Sequence, residues 1–202
     1  MTRHLDRLFV PVLLAALGAG CATTPAPDSE PLANAADDAL AGDSGLMLLS
    51  AGAEALSAGD NEVAAALLDR AVAQGAEAAT AQFLRGVAHL RLGELPAARE
   101  ALAAAVAAEP SDVASHCVLA RVCHMDGDTD AAVAQLDAAI ALTPDDARLY
   151  TLRGHVELDS ERLEAAFADL SKAVDMNPAD VDAQRGLAVL YSEVDAPDRA
   201  EG

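Results

Sequence analysis

Aromatic residues are nearly absent from this chain: 202 residues hold no Trp, two Tyr and three Phe. A core of stacked rings is therefore excluded. Because 52% of the residues are nonetheless hydrophobic, the interior must be built mainly from Ala, Leu and Val. Ala is the strongest helix former and lets helices approach closely. Basic residues are also scarce, 13 against 33 acids for a formal charge of −20, and Lys172 is the only lysine. Nothing here could neutralise a nucleic-acid backbone at scale. The acidic balance instead favours solubility and repulsion from anionic surfaces.

No apolar run is long enough for a permanent membrane span, which needs about 20 residues. The longest, Leu8 to Leu17, follows Arg3 and Arg7 and precedes Gly18, Ala19, Gly20 and Cys21. Residues 1–20 thus read as a secretory signal peptide. Residues 22–44 carry Pro25, Pro27 and Pro31 among Ala, Thr, Ser and Asp with no periodic apolar face. Such a stretch buries too little surface to offset its ordering entropy. Together, 21–44 read as a flexible tether; as a coil, its last 23 residues reach roughly 25–30 Å. Asp195 to Gly202 reads as a flexible tail.

Between these ends the chain repeats itself. Gly52, Gly86, Ala120, Gly154 and Ala188 recur at 34-residue intervals. So do Ala64, Ala98, Ala132 and Ala166, then Leu68, Leu102, Leu136 and Leu170, then Ala71, Ala105, Ala139 and Ala173. Pro110, Pro144 and Pro178 close three units, each followed two residues later by Asp112, Asp146 or Asp180. Proline is excluded from helix interiors, so these prolines lie in turns and the aspartates are placed to cap the next helix. Gly59, Gly93 and Gly127 form a further column where a left-handed turn costs glycine nothing. In the fourth unit Glu161 takes that place, and its turn is expected to be shaped differently.

The period and the order small, small, bulky, small, Pro resemble the tetratricopeptide repeat. The resemblance implies an all-α, right-handed α-solenoid of four helix hairpins at 45–78, 79–112, 113–146 and 147–180, with a capping helix at 181–194. The first unit matches least well, because Ala76 replaces the closing proline. Likewise Leu17-Gly18-Ala19-Gly20-Cys21 resembles a bacterial lipobox, although Leu17 stands one place early and Asp6 is unusual in a basic start. That resemblance implies lipidation of Cys21 with palmitate-type chains, each buried CH₂ contributing about 0.8 kcal/mol. With Ala22 following, it implies a lipoprotein at the periplasmic face of the outer membrane. An ordinary signal, with Cys21 incidental, is the alternative.

No catalytic constellation is found, and no cofactor is implied. Cys117, Arg121 and His124 lie within about 40° of one helical face, but no third ligand or orienting carboxylate accompanies them. Cys117 and Cys123 are about 120° apart on a helix, so they share neither a metal ion nor a disulfide. Asp126, Asp128 and Asp130 imitate the start of a calcium loop, but Ala131 stands where that loop needs Gly. They read as a turn and an acidic helix start.

In tetratricopeptide proteins the first helix of each unit lines a groove for a protein or peptide. Carried over, its inward columns give Thr80, Phe83, Val87, Leu90 and Arg91. The next unit supplies Ala114, Cys117, Arg121, His124 and Met125; then come Arg148, Thr151, His155, Leu158 and Asp159, with Asp182, Arg185 and Val189 from the cap. Arg91, Arg121, Arg148 and Arg185 thereby share one face, and an acidic or amphipathic partner segment is expected. The implied function is a non-enzymatic, lipid-anchored scaffold for a pilus, secretion or outer-membrane complex. An adaptor regulating envelope hydrolases and a thiol-dependent enzyme are the alternatives. Oligomeric state is left open.

Overall fold

The computed structural model describes residues 45–76 and 79–194. Cys21, the signal-peptide and tether stretches, and the tail from 195 lie outside them. Among the described residues there are nine helices and no strand. They run α1 (Gly45–Ala58), α2 (Asn61–Ala73), α3 (Ala79–Leu92), α4 (Leu95–Ala108), α5 (Val113–Met125), α6 (Thr129–Leu142), α7 (Ala147–Asp159), α8 (Leu163–Met176) and α9 (Val181–Val194). The chain divides into two compact parts after Val122, and each is described in its own terms.

In the amino-terminal part α1 packs on α2 and α3 on α4, while α2 also packs on α3. The repeating columns explain why. Ala64, Leu68, Ala71, Ala98, Leu102 and Ala105 are all fully buried. A Cβ added at Gly52 would lie 2.7 Å from Leu68 Cγ, and one at Gly86 would lie 2.5 Å from Leu102 Cγ. The glycine thus lets the Leu branch of its own hairpin partner seat against bare backbone. The carboxy-terminal part repeats the device: a Cβ at Gly154 would stand 2.7 Å from Leu170 Cγ. There α7 packs on α6, α8 and α9, and Leu136, Ala139, Ala166, Leu170 and Ala173 are fully buried.

The turns inside hairpins are alike. Gly59, Gly93 and Gly127 have φ of 89°, 78° and 83°. In the first, Gly59 N donates to Leu56 O and Asp60 N to Ala55 O, the paired bonds that close a helix at a left-handed residue. The turn at Glu161 departs from the sequence expectation. Glu161 adopts φ 60°, its N donates to Leu158 O, and Arg162 N donates to Glu157 O. The backbone bonds impose the same turn shape on a residue that pays for its Cβ.

Turns between units follow a second rule. Asp112 accepts from Ala114 N and Ser115 N, Asp146 from Arg148 N, and Asp180 from Asp182 N and Ala183 N. The capping expected from the sequence is present at all three. A column not anticipated joins it: His116 Nε2 meets Pro110 O at 3.0 Å, Tyr150 OH donates to Pro144 O, and Gln184 Nε2 donates to Pro178 O. Three different side chains reach the carbonyl six residues back. The first unit, lacking proline, closes instead through Gly75 at φ 90°, with Ala76 N donating to Ala71 O.

Candidate interaction surface

Helices α1, α3 and α7 each pack on more than one neighbour within their own part, so a broad arc of each is buried. This corrects part of the groove expected from the sequence. In the amino-terminal part Val87 is 1% exposed and Leu90 is also buried, because the whole run from Gly86 to Leu90 is enclosed. They belong to the core and do not line an open surface. Phe83, Cys117 and Arg121 are half-buried, and Thr80 and Arg91 are exposed. Arg91 Nη1 donates to Leu56 O at 2.7 Å, tying its guanidinium to the carboxy-terminal end of α1.

In the carboxy-terminal part Met125, Arg148, Asp159, Arg185 and Val189 are exposed. His155 is buried, its Nε2 lying 3.2 Å from Asp182 O, and burial lowers its pKa against the pull of Asp159, Asp182 and Asp180. It too is removed from the accessible set. Thr151 is buried and donates to Asp180 Oδ2 at 2.8 Å. The exposed arginines already have carboxylate partners: Arg148 donates through Nε and Nη2 to Asp146, and Arg185 Nη1 lies 3.1 Å from Asp182 Oδ1. The side-chain bond from Arg148 is also what chiefly holds the Asp146 carboxyl below its ordinary range. Their charge is therefore largely answered within the helix starts. His124 Nε2 stands 3.3 Å from Asp159 Oδ2, while its Nδ1 is buried without a hydrogen-bond partner.

Residues the sequence reading passed over form a polar brace in each part. Arg85 Nε donates to Asp69 Oδ1 at 2.6 Å; buried His89 faces Asp69 through Nε2 and Glu94 through Nδ1, at 3.2 and 2.7 Å. Sixty-eight positions on, two repeat lengths, Arg153 grips Asp169 through Nε and Nη2 and also contacts Asp137. These carboxylates raise the pKa of Arg153. Glu157, in the column of His89, is buried with Oε2 unpaired; desolvation, then the Asp169 charge, pushes its pKa up to about 7. The signal was available in the alternation Arg85, Leu119, Arg153, Leu187.

The thiol alternative gains no support from the placement of its residues. Cys123 is buried, Cys117 is half-buried, and the described carboxylate partner of His124 is Asp159. Among the described residues no group of three or more His, Cys, Asp or Glu could hold a metal ion. Asp128 caps α6 by accepting from Ala131 N, and Asp130 accepts from Arg162 Nη2, which accounts for two of the three calcium-like acids. No helix among the described residues is long and apolar enough to cross a membrane.

Comparison with known proteins decides the family. The tetratricopeptide repeat family matches over residues 49–113, 91–147 and 147–180. The chain belongs to the tetratricopeptide repeat family. No curated protein matches it. Among solved tetratricopeptide-like structures, MamA residues 41-end from Desulfovibrio magneticus RS-1 superposes with a TM-score of 0.69 at 23% identity, covering 76% of this chain and 87% of that one. YrrB, described as a TPR protein with an unusual peptide-binding site, gives 0.65 at 18% identity over 85% of this chain and 87% of its own. The first TPR of Spaghetti, solved with an HSP90 peptide, gives 0.54 at 18% identity over 58% of this chain and 93% of its own. At such identities the likeness is one of fold.

Proposed function

We propose that this tetratricopeptide repeat protein is a non-enzymatic interaction scaffold of the bacterial envelope. A lipid on Cys21 anchors it at the periplasmic face of the outer membrane, where it holds a protein of a pilus, secretion or outer-membrane assembly. The observation that carries the scaffold reading is the uniformity of the described chain: from Gly45 to Val194 it consists of repeat hairpins and one further helix. What it offers a partner is helix surface. YrrB and the Spaghetti repeat, with their peptide site and bound peptide, support a peptide-like segment as the ligand class.

That segment is acidic or amphipathic. In the amino-terminal part half-buried Phe83 offers it apolar contact and Arg91 and Arg121 charged donors; in the carboxy-terminal part exposed Met125 offers apolar contact and Arg185 a donor shared with Asp182. Apolar anchors supply burial, and the arginines add orientation that weakens with salt. Anchorage rests on the lipobox-like sequence at Cys21.

Two measurements test the proposal. Mass spectrometry of the mature protein should find an acylated Cys21 at its N-terminus, and Cys21→Ser should leave the chain uncleaved or soluble. Crosslinking in intact envelopes should yield one dominant partner, whose purified segment binds less tightly to Arg91→Glu and Arg121→Glu variants. An unmodified terminus away from Cys21 refutes the anchor, and unchanged affinity in both variants refutes the binding face. Co-purification with a hydrolase whose activity changes would favour the adaptor reading.

A further inference from the structure

Helix α9 follows the four hairpins in repeat register. Val181, Gln184, Ala188 and Tyr191 occupy the columns headed in α1 by Gly45, Leu48, Gly52 and Ala55. Spaced three, four and three residues apart, they form one stripe along the helix. In the preceding hairpins the middle of this stripe is covered: Gly52, Gly86, Ala120 and Gly154 are all buried, as are Ala55, His89, Cys123 and Glu157. On α9 the stripe is bare. Val181 is 62% and Tyr191 57% exposed, and Gln184 and Ala188 are exposed as well.

The structure itself shows what covers the stripe elsewhere. At Gly52, Gly86 and Gly154 the covering atoms are the Leu branch of the hairpin's own second helix, at Leu68, Leu102 and Leu170. That helix carries Ala four positions before the Leu and Ala three after it, all fully buried. In the last hairpin it also brings Lys172, whose Nζ donates to Tyr150 OH at 2.9 Å and sits 4.0 Å above the ring. Gln184 is the residue of α9 in the Tyr150 column. Among the described residues no second helix follows α9. Beside the bare stripe Phe167 of α8 is 43% exposed and meets Tyr191 edge-on at a centroid distance of 6.0 Å. Glu164, one turn before Phe167, is exposed too.

We propose that the stripe Val181–Gln184–Ala188–Tyr191, with Phe167, docks an amphipathic helix donated by another protein, which completes a fifth hairpin in trans. The internal interface recurs three times with the same atoms, so it defines the guest: Ala-x-x-x-Leu-x-x-Ala on its inner face. The precedent of Lys172, which meets the Tyr150 ring in the column that Gln184 occupies on α9, adds a basic residue two places after the Leu. The guest's Leu packs over Ala188, whose Cβ holds the guest a little further out than the second helix stands in the glycine hairpins. The stripe shares no residue with the peptide face proposed above and does not depend on it, although Arg185 of that face stands on the same helix.

The test uses the full chain and a lactam-stapled peptide of Leu95–Ala108, which contains Ala98, Leu102 and Ala105, with Ala104→Lys supplying the basic residue. Fluorescence anisotropy should show saturable binding. Ala188→Glu in the protein and Leu102→Ala in the peptide should each weaken it at least tenfold. Because Ala188 is exposed, Ala188→Glu should leave the circular dichroism spectrum and the unfolding midpoint unchanged, and Arg91→Glu, which is in the amino-terminal part and outside the stripe, should leave peptide affinity unchanged. Tyr191→Ala gives an independent second variant, expected to weaken binding several-fold. Absence of saturable binding, or equal binding by the folded Ala188→Glu protein, overturns the proposal. So does a wild-type dimer that Ala188→Glu dissociates, which would assign the stripe to a second copy. Binding that appears only after residues 195–202 are removed would assign it to the chain's own tail and overturns it likewise.

Discussion

Substituting Ala for Gly86 sets two effects of opposite sign against each other. Gly86 lies in the middle of α3, where Ala is favoured over Gly by about 1 kcal/mol. Ala120 occupies the same column, so propensity and repeat pattern both rate the change as favourable. Packing opposes it. The new Cβ would stand 2.5 Å from Leu102 Cγ, 3.0 Å from Leu102 Cδ2 and 3.3 Å from Ala98 O. The nearest atom is the branch point of a fully buried side chain, held between Ala98 and Ala105, which are themselves fully buried. It cannot swing aside as a chain end could, so α3 and α4 must part locally. Overpacking of this kind costs typically about 1–3 kcal/mol, and α4 also supplies the rest of that hairpin's core. Packing should win, with a net loss of about 1–2 kcal/mol. Urea unfolding followed by circular dichroism should show an earlier midpoint at unchanged slope. In a Leu102→Ala background the collision disappears, and the same change at Gly86 should become neutral or stabilising, a coupling that a double-mutant cycle isolates. A Gly86→Ala protein as stable as the wild type would refute the close-contact argument for the whole Gly–Leu column.

Glu161→Gly should stabilise the chain by about 0.5–1 kcal/mol, read as a higher unfolding midpoint, since a side chain at φ 60° costs more than glycine's extra chain entropy. Asp180→Ala should cost about 1–2 kcal/mol, because Asp180 caps α9 through Asp182 N and Ala183 N and also receives Thr151 Oγ1. Glu157 binds its proton more tightly when folded, so its contribution favours folding at pH below about 4.5 and declines as pH rises to about 7. Glu157→Gln should therefore be more stable than the wild type at pH 8 and lose most of that advantage at pH 4, a difference measurable by parallel urea titrations.

The fold was legible because its determinants are spaced along the chain at fixed intervals. Gly52, Gly86 and Gly154 each stand sixteen residues before the Leu they meet, so each pair is a spacing in sequence before it is a contact in space. Asp112, Asp146 and Asp180 were legible as caps for the same reason: the partner amide lies two or three residues away. What escaped the sequence were interactions whose chemistry varies within a column. His116, Tyr150 and Gln184 share no residue type, yet each reaches a proline carbonyl. The turn at Glu161 was expected to differ in shape and does not, because residue preference is weaker than the hydrogen bonds that close the helix around it. The groove list was overextended at Val87, Leu90 and His155, since a helix packed on two sides has a buried arc wider than the one carried over from the repeat pattern. The arginines were legible as residues, but the Asp146 and Asp182 partners that already hold Arg148 and Arg185 follow from side-chain reach within a helix start.

The bonds to the proline carbonyls bear on how such a chain could be cut and reassembled. Divided at the 112/113 or 146/147 boundary, every cassette begins with a donor, His116 or Tyr150, whose acceptor at Pro110 or Pro144 has stayed behind. The capping aspartate, Asp112 or Asp146, stays behind with it. A cassette starting at the proline, such as 110–143 or 144–177, carries its own carbonyl, cap and donor as one continuous segment. Units transplanted on that frame would bring their junction with them, whereas units cut at the helix starts would depend on whatever turn the recipient happened to supply.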